Sequence, residues 1–338
     1  MNTGNPQQIL FQRIKDILGP NLSLAETVAE SLNISNDSAY RRIRNEKKLE
    51  LEEFHLLCKH FSISADEIFN LHNQFIQFNF ININENRFDF EHFLEIIYQD
   101  LKRLVKQNSP EIYFIFNELN LFQLLIVPEV AAFKFFFWSK SNFVFPQYKD
   151  LQFSLDHMSG KVLKLCKDIT QLYNSIPSIE FMASETLSSM LKQLNFYYEA
   201  GYFNNVKDVL TLCDALTKLM DHLKLQAELG HKFGYGSNPD TGSAKYVLYY
   251  NDLLIVDNTV IVHAEQVHRT YITSNVVNLL VSDNQIFYNQ NLQWAENLVR
   301  KSVLISGASE KDRNKYFRSF LEQIEAFRSK LIVKEPYF

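Results

Sequence analysis

From its start the chain sets apolar residues at helical spacing. Between Gln7 and Leu18, residues Ile9, Leu10, Ile14, Ile17 and Leu18 share one face, and Gly19-Pro20 ends the run. Leu24–Leu32 repeats the pattern, with Ser23 at the N-cap and Glu26 three residues on, the sequence form of a capping box. Asn33-Ile34-Ser35 reads as a tight turn, and Ser35 is placed to cap a helix from about Asn36 to Asn45. Glu50–Phe61 and Ala65–Leu71 complete five short helices, the last capped by Ser64 with Glu67 at its third position.

Beyond this module, His72 to Arg87 alternates Phe75, Phe78, Phe80, Ile81 and Ile83 with Gln and Asn, as extended structure or a docking strand does. Phe88–Lys106 returns to helical spacing, and Ile112–Val127 is an apolar run compatible with either a strand or a buried helix. Long helical patterns occupy Leu151–Tyr173, Ser184–Gly201 and Asn204–Lys232. After the loop Gly234–Ser243 the pattern changes. Tyr246–Tyr250, Thr259–His263 and part of Thr270–Val281 alternate or are β-branched, which predicts a small antiparallel sheet near 245–281. Helices near Gln285–Leu304 and Glu310–Val333 close the chain. In the second, Phe317, Phe320, Leu321, Ile324, Phe327 and Leu331 form a stripe suited to inward packing or to a partner subunit. The expected fold is mainly α. A five-helix module occupies 1–72, a linker 73–87, and a larger, mostly helical domain with the small sheet 88–338, undivided or split near 234–244.

The second and third helices carry the chemistry. At 100° per residue, Ala39, Tyr40 and Ile43 fall on the side that would pack on the preceding helix, while Asp37, Ser38, Arg41, Arg42, Arg44 and Asn45 fall on the other. Residues 41–48 hold five Lys or Arg against one Glu, a local net charge of +4, although 1–72 as a whole holds 8 basic and 10 acidic residues. The positive charge is focused on one edge. A helix fits the DNA major groove, where Arg bonds guanine bidentately, and Lys47 and Lys48 suit phosphates, which give affinity without sequence information. Candidate DNA-contacting residues are therefore Asn36, Asp37, Ser38, Arg41, Arg42, Arg44, Asn45, Lys47 and Lys48. A plain solvated helix face is the competing reading of such a charge run.

The segment Leu24–Ser35, with Ala29 where two helices approach and Asn33 in place of a turn glycine, resembles the lambda-repressor-like (Cro-type, XRE) helix-turn-helix family. So does Phe61–Phe69, and Tyr40-Arg41-Arg42-Ile43-Arg44 is similar to the BetR variant of that family. The resemblance covers about residues 8–70. It implies a cytoplasmic, homodimeric, one-component transcriptional regulator that binds double-stranded DNA. The alternative is an interaction or scaffold protein whose module binds a protein partner.

Composition narrows the remaining choices. The formal charge of −5 excludes a chain that is basic overall, so any nucleic-acid contact has to be local. Cys58, Cys166 and Cys213 are odd in number and widely spaced, as buried thiols are and a disulfide framework is not. No apolar run reaches the roughly 18 residues of a membrane span. Sixteen of 29 Phe lie between 75 and 153, and the block Phe133, Phe135, Phe136, Phe137 and Trp138 suits core packing or a subunit interface better than a pocket for a small-molecule effector. Gly234–Lys245 lacks the Gly-Lys-Ser/Thr of a phosphate loop, and a connecting loop is the better reading. Ser306–Ser309 reads as an N-cap sooner than an anion site. His263 and His268, five apart, would face opposite sides of a regular strand, and His55, Cys58 and His60 lack zinc spacing. No motif indicates a cofactor, a metal or an enzyme.

Overall fold

The computed structural model describes residues 5–18, 22–61, 63–69, 76–81, 90–155, 158–238, 243–252, 258–274 and 278–333. The chain divides into two compact units, 1–75 and 76–338.

The first unit holds α1 (Pro6–Leu18), α2 (Leu24–Leu32), α3 (Asn36–Ile43), α4 (Leu51–Phe61) and α5 (Ala65–Phe69). Gly19-Pro20 and the end of the predicted last helix lie outside the described residues. Local chemistry sets the boundaries. Ser23 Oγ accepts from the Glu26 amide at 3.4 Å, and Ser35 Oγ accepts from the Ser38 amide at 3.3 Å, so each helix begins at a side-chain cap. Asn33 ends α2 in the left-handed conformation, φ 52° and ψ 50°, which Asn tolerates better than other residues with a Cβ. Leu10, Phe11, Ile14, Val28, Leu57, Ile63 and Ile68 form the core, with Ala29 and Ala39 buried where α2 and α3 close together.

The second unit is mainly helical around a sheet larger than the sequence indicates. Its strands are β1 (Asn79–Ile81), β2 (Glu111–Ile115), β3 (Ser178–Met182), β4 (Tyr246–Tyr250), β5 (Thr259–Ala264), β6 (Val267–Ser274), β7 (Asn278–Ser282) and β8 (Val303–Leu304). They form one sheet in the order β1-β7-β6-β5-β2-β3-β4-β8. β2, β3 and β4 run parallel, and the other pairings are antiparallel. Of the strands expected to form a small antiparallel sheet, β5, β6 and β7 pair antiparallel, whereas β4 lies beyond β2 and β3 and pairs parallel with β3. β3 alternates Ser178 and Glu180 with Ile179 and Phe181, yet helices cover both sheet faces, so the two polar residues are buried as well. The ambiguous run from Ile112 holds both alternatives, a strand at its start and the helical turn α7 (Leu121–Leu124) near its end. β1, in the expected linker, pairs with β7, while 82–89 lie outside the described residues.

Parallel neighbours need crossovers, and helices supply them. α6 (Phe90–Leu104) precedes β2; α7, α8 (Pro128–Phe137) and α9 (Gly160–Asn174) join β2 to β3; α10 (Ser188–Glu199) and α11 (Val206–Leu229) join β3 to β4. α12 (Gln285–Lys301) covers the other sheet face through Tyr288 and Ala295, over Tyr113, Ile115, Phe181 and Ile261. α13 (Glu310–Val333) turns Phe317, Phe320, Ile324, Phe327 and Leu331 into the main core. Among the described residues no helix is long and apolar enough to cross a membrane.

Candidate nucleic-acid interface

α3 presents a face that differs from the sequence expectation at two positions. Tyr40, expected to pack inward, is half exposed, and Arg42, expected outside, is buried at 3% exposure. Helix angle does not separate the two: Arg42 lies about 60° from Ala39 and about 100° from Ile43, and Tyr40 the reverse, so the partner available to each side chain decides. Burial of a guanidinium requires a partner, and α4 provides one. Arg42 Nε donates to Glu53 at 2.9 Å, Nη2 donates to the other carboxylate oxygen at 2.5 Å, and Nη1 donates to the Ser38 carbonyl at 3.1 Å. The guanidinium bonds hold the Glu53 carboxyl below its usual range. Arg42 is therefore a structural residue that ties α3 to α4, and it leaves the contact set.

The remaining candidates form an exposed edge. Asn36, Asp37, Arg41, Lys47 and Lys48 are exposed, and Ser38 is half-buried with its hydroxyl 3.0 Å from that of Ser35. Arg44 is 60% exposed and pairs with Glu46 at 3.2 Å, a surface pair weak enough to be exchanged for a phosphate. Asn45, at φ 64°, stops the helix; its amide donates to the Arg42 carbonyl and that of Glu46 to the Arg41 carbonyl, the two bonds of a Schellman turn. The turn redirects the chain so that Lys47 and Lys48 follow the helix end. Its conformation is further fixed by a residue that the pattern of apolar positions did not single out. Gln7, in the first turn of α1 and 9% exposed, donates to the carbonyls of Arg42 and Lys47 and accepts from the amide of Leu49. No local signal marks it, because its partners are 35 to 42 residues away.

No family model, curated protein or solved structure matches this chain. The edge is therefore read from its own geometry: an exposed helix face bearing Tyr40 and Arg41, followed by a fixed basic loop.

The second unit contains other polar clusters. His263 and His268 were expected on opposite sides, but the β5–β6 hairpin makes them direct cross-strand partners with ring centroids 5.2 Å apart. The Tyr288 hydroxyl lies 2.5 Å from His263 Nδ1, and the His268 ring stacks on Tyr288. Among the described residues no group of His, Cys, Asp and Glu is arranged to hold a metal. Deeper in the core, Glu180 accepts from the Tyr173 hydroxyl, from Ser178 Oγ at 2.7 Å, from Asn120 at 3.1 Å and from Gln123 at 2.8 Å. Fully buried Lys232 lies 4.0 Å from Glu180 and donates to the carbonyls of Tyr173 and Ile176. Burial pushes its ammonium down to about 7. These groups are consumed in joining β3, α9 and the end of α11.

The cysteines are buried free thiols, with Cys166 pushed up to about 12 and Cys213 to about 11 by burial. In the loop read as a weak phosphate-loop lookalike, residues 239–242 lie outside the described residues. At the start of α13 the Gly307 amide donates to the Ala227 carbonyl, which uses a group an anion would need. The block around Phe133 packs ring on ring, with Phe133 stacked on Phe203 at 5.9 Å and edge-on to Phe153 and Tyr197.

Proposed function

We propose that this protein is a sequence-specific DNA-binding transcriptional regulator and not an enzyme. α3 enters the major groove, and the second unit pairs two copies. The observation that carries this reading is the exposed edge Tyr40, Arg41, Arg44, Lys47 and Lys48, built on two helices joined by a three-residue turn with left-handed Asn33. The resemblance to lambda-repressor-like modules supports the same reading. Arg41 and Tyr40 are assigned to base edges, and Lys47 and Lys48 to phosphates. A module of this size reads few base pairs, so two copies are expected on half-sites about 34–36 Å apart. The ring-on-ring packing around Phe133 fills the interior of a single copy, so this block is core and does not supply an effector pocket.

The test is binding of the full chain to a duplex selected from a randomised pool and to a random duplex, over a range of salt. Arg41→Ala is expected to weaken selected-site binding by roughly 1–3 kcal/mol. Lys48→Ala is expected to weaken both duplexes alike and to reduce the salt slope by about 0.9. Equal losses on both duplexes for both variants would break the assignment of Arg41. Binding that does not respond to salt would favour a protein partner for this edge, since phosphate contact releases counterions.

A further inference from the structure

We infer that Gln7 is a positioning residue for the phosphate-contacting loop: it makes α3 and residues 44–49 one rigid body, so that base reading and phosphate contact occur at one docking angle. The inference rests on the DNA-binding reading above. Three hydrogen bonds carry it. Gln7 Nε2 donates to the Arg42 carbonyl at the end of α3 and to the Lys47 carbonyl, both at 2.8 Å, and Gln7 Oε1 accepts from the Leu49 amide at 2.9 Å. Lys48 thus lies between two residues held by the same side chain. Ahead of Lys47 the loop is tied to α3 by the Glu46 and Lys47 amides on the Arg41 carbonyl, and past Leu49 the Glu50 amide donates to Glu53. Gln7 spans the stretch between.

Only a primary amide of this length offers two donors and an acceptor together. A lysine adds to the salt slope only when its ammonium reaches a phosphate, and a loop held to the end of α3 keeps Lys47 and Lys48 within reach of the backbone at the docking position that seats the helix. Gln7 touches no DNA in this scheme. It acts through Lys47 and Lys48.

The experiment measures the salt dependence of binding of the full chain to a random duplex, for wild type, Gln7→Met, Gln7→Glu and Lys47→Ala/Lys48→Ala, with helix content followed by circular dichroism. Gln7→Met fills the same space without the bonds, and Gln7→Glu keeps only the acceptor. The expected result is a salt slope smaller by about 1–2 in Gln7→Met, one increment per lysine, with helix content retained. Adding Gln7→Met to the double-lysine variant is expected to change the slope no further, because the residues act as one unit. A role confined to stability would scale binding by one factor at every salt concentration and leave the slope unchanged, which overturns the inference. The same slope loss in the lysine-free background also overturns it, as does loss of helix content in both Gln7 variants. Wild-type protein that binds neither duplex removes the DNA reading and this inference with it; wild-type binding with an unaltered slope in Gln7→Met removes only the role of Gln7.

Discussion

Lysine and arginine line an exposed edge of the first unit, whereas in the second several are buried among partners. Arg41, Lys47 and Lys48 face solvent. Lys134, Lys232 and Arg313 are no more than 3% exposed; Lys134 lies 3.7 Å from Glu118, Lys232 bonds two carbonyls, and Arg313 donates to the carbonyls of Ile305 and Gly307. A hydrated cation keeps its attraction for an external anion. A buried one has lost its water and is stable only where the fold supplies replacements. The same residue type is therefore open to an external anion in one unit and part of the scaffold in the other, and burial decides which. Arg42 crosses the divide, because it belongs to the scaffold while sitting beside the exposed basic edge.

The largest expected effect tests that crossing. Arg42→Ala removes one partner of a buried ion pair and should destabilise the first unit by roughly 3 kcal/mol, the low end for such a loss because Glu53 keeps some contact with water. Urea unfolding would measure it, and Arg41→Ala should stay within about 0.5 kcal/mol of wild type. The Arg42→Ala/Glu53→Ala variant should recover part of the loss. Glu53 has a lowered folded-state value, so its contribution is present above the ordinary carboxylate range and disappears as pH falls through that value. Comparable losses for Arg41→Ala and Arg42→Ala would erase the contrast between the two residues.

The next effect belongs to the second unit. Lys232 is pushed down to about 7 in the folded chain, while in the unfolded chain a lysine keeps its proton to about 10.4. Between those values the unfolded state binds one more proton, so stability rises with pH across that window. Wild type should gain on Lys232→Met between about pH 7 and 10, as read from urea midpoints. A flat difference would mean that Lys232 stays charged beside Glu180.

The smallest effect concerns the turn that orients α3. Asn33→Ala should cost about 1 kcal/mol through the left-handed backbone, and Asn33→Gly should be nearly neutral. Thermal melts of the two variants would separate a conformational requirement from a side-chain contact.

Much of the first unit was legible because its determinants are local. Ser23, Asn33 and Ser35 act on backbone groups a few residues away, and the apolar spacing of α1, α2 and α4 fixes which faces turn inward. The sequence misled at Tyr40 and Arg42, which helix angle places equally, since a tyrosine beside two arginines suggests an inward ring. In the second unit the helices were visible, as was β1 as extended structure after His72, while β3 and the edge strand β8 were not. A strand is completed by partners far along the chain, and the five residues of β3 are too few to mark it without them. The hairpin that brings His263 beside His268 is local, but its Glu265-Gln266 turn has no Gly, Asn or Asp to signal it.

By itself the sequence determined where helices start and stop in the first unit and that its positive charge gathers after residue 40, because caps, turns and charge are properties of neighbouring residues. Tertiary structure alone decided that Arg42 is buried against Glu53, that Gln7 holds the basic loop, and that Glu180 and Lys232 share the interior of the second unit. Those outcomes depend on which distant groups replace the water each polar atom loses, and a linear pattern does not contain that information.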